Sequence, residues 1–257
     1  MSETNSLERM LGILNLFDEA HPEWTPEELQ ARLGYSRPTL YRYLKTLKES
    51  GLIVSVREAA YTLGPKVVEM DFLLRKADPL VVEGEPLLTE LASKYPGTAF
   101  LSRWYRDRVL CVVSVRTSDE AVSSYPRGRP MPVGRGATSH AILAFLPEAE
   151  QEELLGNWAG HAGAFAASHT RELVRANLAQ TRLSGYSVNP GLVLEGSWGM
   201  GAAVFDAAGR PAWALSLTGI EPRFKPERQE ELGGLLMAEA HRITQQLGGE
   251  GKGARPR

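Results

Sequence analysis

The stretch Ser36–Lys48 carries four cations, Arg37, Arg42, Lys45 and Lys48, and no acidic residue. Leu40, Leu44 and Leu47 recur there at helical spacing and take the inner face. Arg37, Thr39, Tyr41, Arg42, Lys45 and Lys48 are then left outside or at the margin. A cationic helix face is suited to neutralising phosphates, and a guanidinium fork can read guanine in the major groove. Roles follow from side-chain type and place. Arg37 and Thr39, near the helix start, would meet base edges or nearby phosphates, and Arg42 would read guanine. Tyr41, Lys45 and Thr46 would hold phosphates and set register. Residues 1–66 contain eight Lys/Arg against nine Asp/Glu, so the block is not basic as a whole; this one face is. The same pattern also suits a solvated charged face on a three-helix bundle.

The elements that must carry this face read as helix, helix, helix, hairpin. Leu7, Met10, Leu11, Leu14 and Phe17 recur at three- and four-residue steps and predict one apolar helix face. Thr25-Pro26-Glu27-Glu28 predicts a capped helix start, with Glu28 completing a capping box. Leu29 and Leu33 face inward and Gly34 ends that helix; Ser36 is placed to cap the next, and Gly51 stops it. The spacing is that of a helix-turn-helix. Leu52–Val56 and Tyr61–Leu63 flank Arg57-Glu58-Ala59-Ala60 and predict a two-stranded wing, with Arg57 at its tip reaching a neighbouring groove or backbone.

Beyond the punctuation at Gly64-Pro65 and Ala77-Asp78-Pro79 the chain mixes helices and strands. Leu88, Leu91, Ala92 and Tyr95 mark a helix. Thr98–Trp104 and Val109–Val115 flank a hairpin turn at Tyr105–Arg108. Thr138–Leu146 and Leu173–Leu183 are helical, and Glu148–Glu153 reads as a solvated helix face. Tyr186–Val193, Met200–Phe205 and Ala212–Thr218 read as strands, and Leu232, Leu235, Leu236, Ala240, Ile243 and Leu247 close the fold with a long helix. Hairpin-paired strands with helices between them predict an α+β sensor-like domain rather than a doubly wound sheet.

The chain has 257 residues, 43% hydrophobic and 23% charged, with a net charge of −2. That composition is globular and excludes a globally basic protein, though not a local basic face. Its single cysteine, Cys111, excludes an intrachain disulfide framework, argues against a cysteine-cluster zinc site and suits a reducing cytosol. No apolar run reaches membrane-spanning length and the N-terminus lacks a signal core, so the expected location is cytoplasmic. Catalytic and cofactor patterns are not found. Ser139 and His140 adjoin on one helix and do not face each other. His161 and His169 lack a nearby acidic ligand, and Gly134-x-Gly136 lacks the third glycine of a dinucleotide site. No metal or cofactor is expected.

Ser6-Leu7-Glu8-Arg9, the block Ser36–Leu47 and Leu63-Gly64-Pro65 resemble the winged helix-turn-helix of IclR-type bacterial transcriptional regulators. The resemblance continues through Gly136–Pro147, Gly185-Tyr186-Ser187-Val188, Glu195-Gly196, Ala202–Asp206 and Leu215–Gly219, and spans Ser6 to Leu247. It implies a winged helix-turn-helix over residues 1–64, a linker helix over 65–78 and a GAF-like effector-binding domain over 79–248; the glycine-rich, polar composition of 249–257 predicts a disordered tail. It also implies a homodimer or dimer of dimers on operator DNA, whose grip a small organic acid or aromatic compound changes.

Gly136, Ala137 and Thr138 match the family's effector turn. A helix N-terminus there would take a ligand carboxylate, and the glycine permits close approach. Ser216 and Thr218 match the family's strand-end serines. The family often has Asp at Asn189 and Cys at Gly199. Asn189 cannot carry charge, and Gly199 removes a side chain from the pocket wall. Extra room beside Trp198 and Met200, with Trp104 and Trp213 on neighbouring strands, favours an aromatic carboxylate over glyoxylate or pyruvate. The expected function is a ligand-responsive DNA-binding regulator, a repressor of a catabolic operon. The competing readings are an enzyme acting on a small organic acid in the same pocket, and a winged helix that binds protein rather than DNA.

Overall fold

The computed structural model describes residues 5–95, 97–117, 125–156, 170–190, 196–220 and 228–248. Its contacts divide the chain into two units, Met1–Asp78 and Pro79–Arg257. The expectations for His161, His169, the strand end 191–193, Glu195 and the tail 249–257 lie outside the described residues.

In the first unit α1 (Ser6–Gly12) opens with a capping box that the sequence reading did not include. The Asn5 side chain accepts the N–H groups of Leu7 and Glu8, and the Glu8 carboxylate accepts that of Asn5. The expected apolar face of α1 needs correction. Leu7 and Leu11 are 67% and 51% exposed, and Ile13 is the fully buried residue. At Ile13 the helix tightens into a 3-10 turn, Ile13–Leu16. With three residues per turn instead of 3.6, the inward face rotates onto Ile13, and Met10, Leu14 and Phe17 pack around it.

Helix α2 (Pro26–Leu33) starts as predicted. Thr25 Oγ1 accepts the Glu28 N–H, and the Glu28 carboxylate accepts both the N–H and the hydroxyl of Thr25 at 2.8 Å. The Thr25 N–H, then the hydroxyl, hold the Glu28 carboxyl below its ordinary range. The cap's charge-assisted part is therefore fully present above the ordinary carboxylate range and is lost as pH falls through the lowered value. Thr25→Ala is expected to cost about 1 kcal/mol in a denaturant melt at neutral pH, with a smaller gap in acid. Alanine keeps the backbone N–H bond to Glu28, so a gap that does not shrink in acid would mean the Thr25 hydroxyl adds nothing to the carboxylate's hold.

Gly34, at φ +67°, turns the chain into α3 (Arg37–Glu49). Leu40, Leu44 and Leu47 are buried with Ile13, Leu29 and Ile53, and Tyr43 joins them. Burying each leucine contributes roughly 1.5–3 kcal/mol. Ser36 does not cap α3 with its side chain; its hydroxyl donates to Thr39 Oγ1 at 2.9 Å instead. Strands β1 (Ile53–Ser55) and β2 (Tyr61–Leu63) pair antiparallel around a 3-10 turn, Arg57–Ala59, and Trp24 adds a bridge to Tyr61. Helix α4 (Pro65–Ala77) buries no residue, and Val68, Met70, Phe72 and Leu73 stand exposed along it.

The second unit comprises α5 (Pro79–Lys94), β3 (Thr98–Tyr105), β4 (Arg108–Arg116), β5 (Pro130–Met131), α6 (Gly136–Leu143), α7 (Glu148–Gly156), α8 (Arg171–Ser184), β6 (Tyr186–Pro190), β7 (Ser197–Phe205), β8 (Pro211–Ile220) and α9 (Gln229–Gln246). The β3–β4 turn is tighter than expected, closing at Arg106-Asp107 with Arg106 at φ +58°. The described strands of the second unit form one antiparallel sheet in the order β5-β4-β3-β8-β7-β6. Alternation along each strand sorts its residues onto two faces. Leu101, Val204, Leu215 and Leu217 turn to α5 and α9, while Phe100, Cys111 and Ala214 turn to α6. The sheet is thus covered on both sides, and α6 lies across β6, β7 and β8.

Candidate DNA-reading and effector sites

With Leu40, Tyr43, Leu44 and Leu47 buried, α3 presents two adjacent exposed rows, Arg37–Tyr41–Lys45 and Arg42–Thr46. The Arg37 guanidinium lies over the Tyr41 ring at 5.6 Å and that of Arg42 over the Tyr43 ring at 5.5 Å. Such stacking holds a planar donor fork at the helix surface without cancelling its charge. Lys45 makes a loose, exposed contact with Glu49 at 3.8 Å. Thr46 Oγ1 donates back to the Arg42 carbonyl at 3.1 Å, and half-buried Thr39 accepts from Ser36. Lys48 ties the end of α3 to the wing, its ammonium donating to Ser55 Oγ at 2.9 Å. Arg57 begins the turn at the wing tip. The expected DNA face is therefore one continuous surface on α3, with Arg57 carried separately by the wing.

In the second unit, strand register builds a polar floor beneath the start of α6. One row across the sheet reads Asn189, Gly199, Thr218, Thr98, and the next reads Ser187, Gly201, Ser216, Phe100. Ser216 Oγ lies 2.8 Å from Thr138 Oγ1, and Ser187 Oγ donates to the Ala137 carbonyl at 2.7 Å. Side chains at the two glycines would crowd α6. A Cβ at Gly199 would stand 3.3 Å from Thr218 Oγ1 and 3.5 Å from Ala137 Cβ; at Gly201 it would stand 3.3 Å from the Ala137 carbonyl. The glycines thus let the helix start descend onto the hydroxyls.

Gly136 sits at φ +80°, a conformation that favours glycine, and Arg135 places no side-chain hydrogen bond on the first turn. The α6 N–H groups, with the positive end of the helix dipole, are therefore oriented for an anion. The turn before them is pinned from α6 itself. The Gly134 N–H donates to Ser139 Oγ at 2.8 Å, and His140 Nε2 donates to the Gly134 carbonyl at 2.9 Å. Ser139 and His140 thus fix the turn at Gly134 rather than forming a nucleophile–base pair. Cys111 is buried, and burial pushes its thiol up to about 11, so it is a packing residue rather than a nucleophile. Among the described residues no group of three His, Cys, Asp or Glu could hold a metal ion, and no helix is long and apolar enough to cross a membrane.

The family model described as "IclR helix-turn-helix domain" matches residues 6–57, and that described as "Bacterial transcriptional regulator IclR C-terminal" matches residues 75–245. The chain belongs to the IclR family. It is a ligand-responsive, DNA-binding transcriptional regulator of that family, not an enzyme. It is 29% identical over 219 residues to the HTH-type transcriptional regulator XynR of Escherichia coli, covering 85% of this chain and 87% of XynR. It is 25% identical to the E. coli transcriptional repressor IclR, covering 96% and 91% of the two chains. The crystal structure of an IclR-type regulator from Silicibacter sp. TM1040 shares its fold, with a TM-score of 0.83, 21% identity and coverage of 98% of this chain and 100% of that one.

Seven of the nine expected effector residues of this IclR-family chain gather under or in α6: Gly136, Ala137, Thr138, Asn189, Gly199, Ser216 and Thr218. Trp198 and Met200 do not. They alternate with Gly199, so they turn to the opposite face and pack in the core with Leu217 and the α5 and α9 residues. Trp213 does the same, stacked under Arg103 at 5.2 Å. The extra room expected from Gly199 also needs correction, because Ala137 and Thr218 already stand at contact distance from that position. Among the described residues the aromatic side chains on the α6 face include Phe100, which is buried, and the partly buried Trp104 and Tyr125. Ser187, Thr98 and Gly201 were missed. Their signal was parity and register: Ser187 stands two along from Asn189, Gly201 two along from Gly199, and Thr98 pairs with Thr218.

Proposed function

We propose that this IclR-family protein represses a catabolic operon from the cytoplasm as a homodimer or dimer of dimers, and that a small organic acid bound beneath α6 changes its grip on the operator. The observation that carries the ligand class is the uncapped start of α6 facing the hydroxyls of Thr138, Ser216 and Thr218. A carboxylate there would accept from the α6 N–H groups and from those hydroxyls, with Asn189 orienting the rest of the molecule. The E. coli relative named as a repressor supports the sign of regulation. The exposed apolar face of α4 supports association of two chains. On DNA, Arg37, Thr39 and Arg42 would meet bases or nearby phosphates, with Tyr41, Lys45, Thr46 and Arg57 on the backbone. The ligand acts by population shift, binding better to one of two forms that differ in DNA affinity.

Trp104 and Tyr125 on the α6 face favour an aromatic carboxylate such as a hydroxybenzoate. The close floor at Gly199 and Gly201 favours the second reading, a two- or three-carbon acid. Titration of the full chain with benzoate, 4-hydroxybenzoate, pyruvate and glyoxylate, followed by calorimetry and by anisotropy on operator DNA, separates them. Binding of the benzoates alone supports the first reading, and binding of the short acids alone overturns it. Ser216→Ala is expected to weaken the acid that binds about tenfold, one charge-assisted hydrogen bond, and to leave operator affinity without ligand unchanged. Equal affinity in wild type and Ser216→Ala would remove the carboxylate from this floor.

A further inference from the structure

Two tyrosines join the first helix to the recognition helix. Tyr35, in the turn before α3, and Tyr43, within it, meet edge to face with ring centroids 5.9 Å apart at 85°. Each carries a cation. The Arg9 guanidinium lies over the Tyr35 ring at 4.3 Å, closer than any other cation–ring contact of the first unit, and the Tyr35 hydroxyl donates to the Arg9 carbonyl at 3.2 Å. Arg42 lies over the Tyr43 ring, and the Tyr43 hydroxyl meets Ser6 Oγ at 2.8 Å. The hydrogen bond with Ser6, helped by Arg42 and Arg9, holds the Tyr43 phenol below its usual range despite burial. The ring contacts thus put both guanidiniums beside one edge-to-face tyrosine pair, whose Tyr43 hydroxyl is joined to Ser6 of α1. The nearby acid Glu8 has its carboxylate engaged by the Asn5 N–H at the start of α1. Neither Arg9 nor Arg42 has an ion-pair partner among the described residues.

We propose that Arg9, Arg42, Ser6 and the Tyr43 hydroxyl form a clasp for one phosphodiester of the DNA backbone, so that α1 belongs to the DNA interface. Arg9 on α1, Arg42 on α3 and the exposed Ser6 hydroxyl, held from behind by the buried Tyr43, are the chemistry that binds a phosphate monoanion through several donors at once. The stacks on Tyr35 and Tyr43 fix the forks in advance, which lowers the ordering cost of engaging the backbone. The clasp rests on α3 being the DNA-reading helix. Its contact is blind to sequence: it sets the register in which Arg37 and Thr39 address the groove.

The test is fluorescence anisotropy of the full chain on a duplex recovered from random DNA by selection, run as a salt series beside a scrambled duplex. Arg9→Gln is expected to weaken both duplexes alike, about fivefold at physiological salt, and to lower the slope of log affinity against log salt by about 0.9 per bound protomer. Arg9→Lys is expected to restore the slope, because charge is kept. Tyr43→Phe is expected to leave the slope unchanged and weaken binding about two- to threefold, one neutral hydrogen bond. Thermal melts of each variant exclude unfolding as the cause. A wild-type slope in Arg9→Gln overturns the clasp while leaving α3 as the reader. Loss of selectivity without change of slope makes Arg9 a structural support of α3 only. Salt-independent binding by the wild-type chain instead defeats the DNA reading of α3 itself.

Discussion

A chain carrying Arg37→Ala and Arg42→Ala together is expected to bind its operator about thirtyfold to twenty-thousandfold more weakly than wild type, with selectivity over scrambled DNA reduced as well. Each guanidinium contact, Arg37 to a base and Arg42 to a neighbouring phosphate, is worth roughly 1–3 kcal/mol, and the two side chains stand on one exposed surface of α3. The loss should be one of binding and not of folding. Both residues lie outside the buried set, and the leucines beneath them keep their neighbours. The double variant should therefore melt within a few degrees of wild type. Lys45→Ala gives the contrast: an exposed lysine beside Glu49 should weaken specific and non-specific binding alike, by several-fold. Anisotropy across a salt series reads all three. Operator binding by the double variant within about threefold of wild type would move the recognition surface off α3. Binding by wild type that ignores salt would instead favour the protein-interaction reading of the winged helix.

How much of this was legible in the sequence divides by the physics that each feature obeys. Helix α2 was legible to the residue because its start and stop are local: Thr25, Pro26 and Glu28 satisfy their own backbone, and Gly34 needs only its own positive φ. The face of α3 was legible because helical period assigns in and out once Leu40, Leu44 and Leu47 are chosen. Helix α1 failed at the point where that period changes, and no residue type announces the 3-10 turn at Ile13. The effector floor shows the same division. Gly136, Ala137 and Thr138 follow from a glycine before an apolar helix and from the family resemblance. Which strand residues lie beneath them depends on parity, and parity is fixed by pairing between strands distant in sequence. An error of one position moves a residue through the sheet, and that is what happened to Trp198 and Met200, chosen beside Gly199. Tyr35, Tyr43, Arg9 and Ser6 were out of reach for a further reason: their meeting is tertiary, across 26 and 37 residues of chain.

Gly64→Ala is expected to destabilise the first unit by about 2–3 kcal/mol, the range of overpacked sites, and to lower its melting temperature by roughly 10–20 °C for a domain of this size. Gly64 has an ordinary extended backbone, at φ −95°, so alanine is not opposed by its dihedral angles. It is opposed by space. A Cβ there would run into the Gly51 carbonyl oxygen and stand 2.9 Å from the Gly51 carbon and 3.0 Å from the Ile53 nitrogen. All three atoms are backbone and cannot rotate away. They also belong to a single seam. The Gly64 N–H donates to the Leu52 carbonyl at 2.8 Å and the Lys66 N–H to the Gly51 carbonyl at 3.1 Å, joining the end of α3, the wing and the start of α4. One methyl group would therefore part three elements at once, and operator binding should weaken at temperatures where wild type is still folded. Gly12→Ala is the control of opposite sign. Gly12 has right-handed helical dihedrals and open space around a Cβ, so alanine should add about 0.5–1 kcal/mol by restricting the unfolded chain. Hydrogen exchange would locate the effects, with faster exchange in Gly64→Ala confined to residues 24–64 and the sheet of the second unit unchanged. If both variants melt at the wild-type temperature, the seam at Gly51 and Gly64 is looser than these distances require.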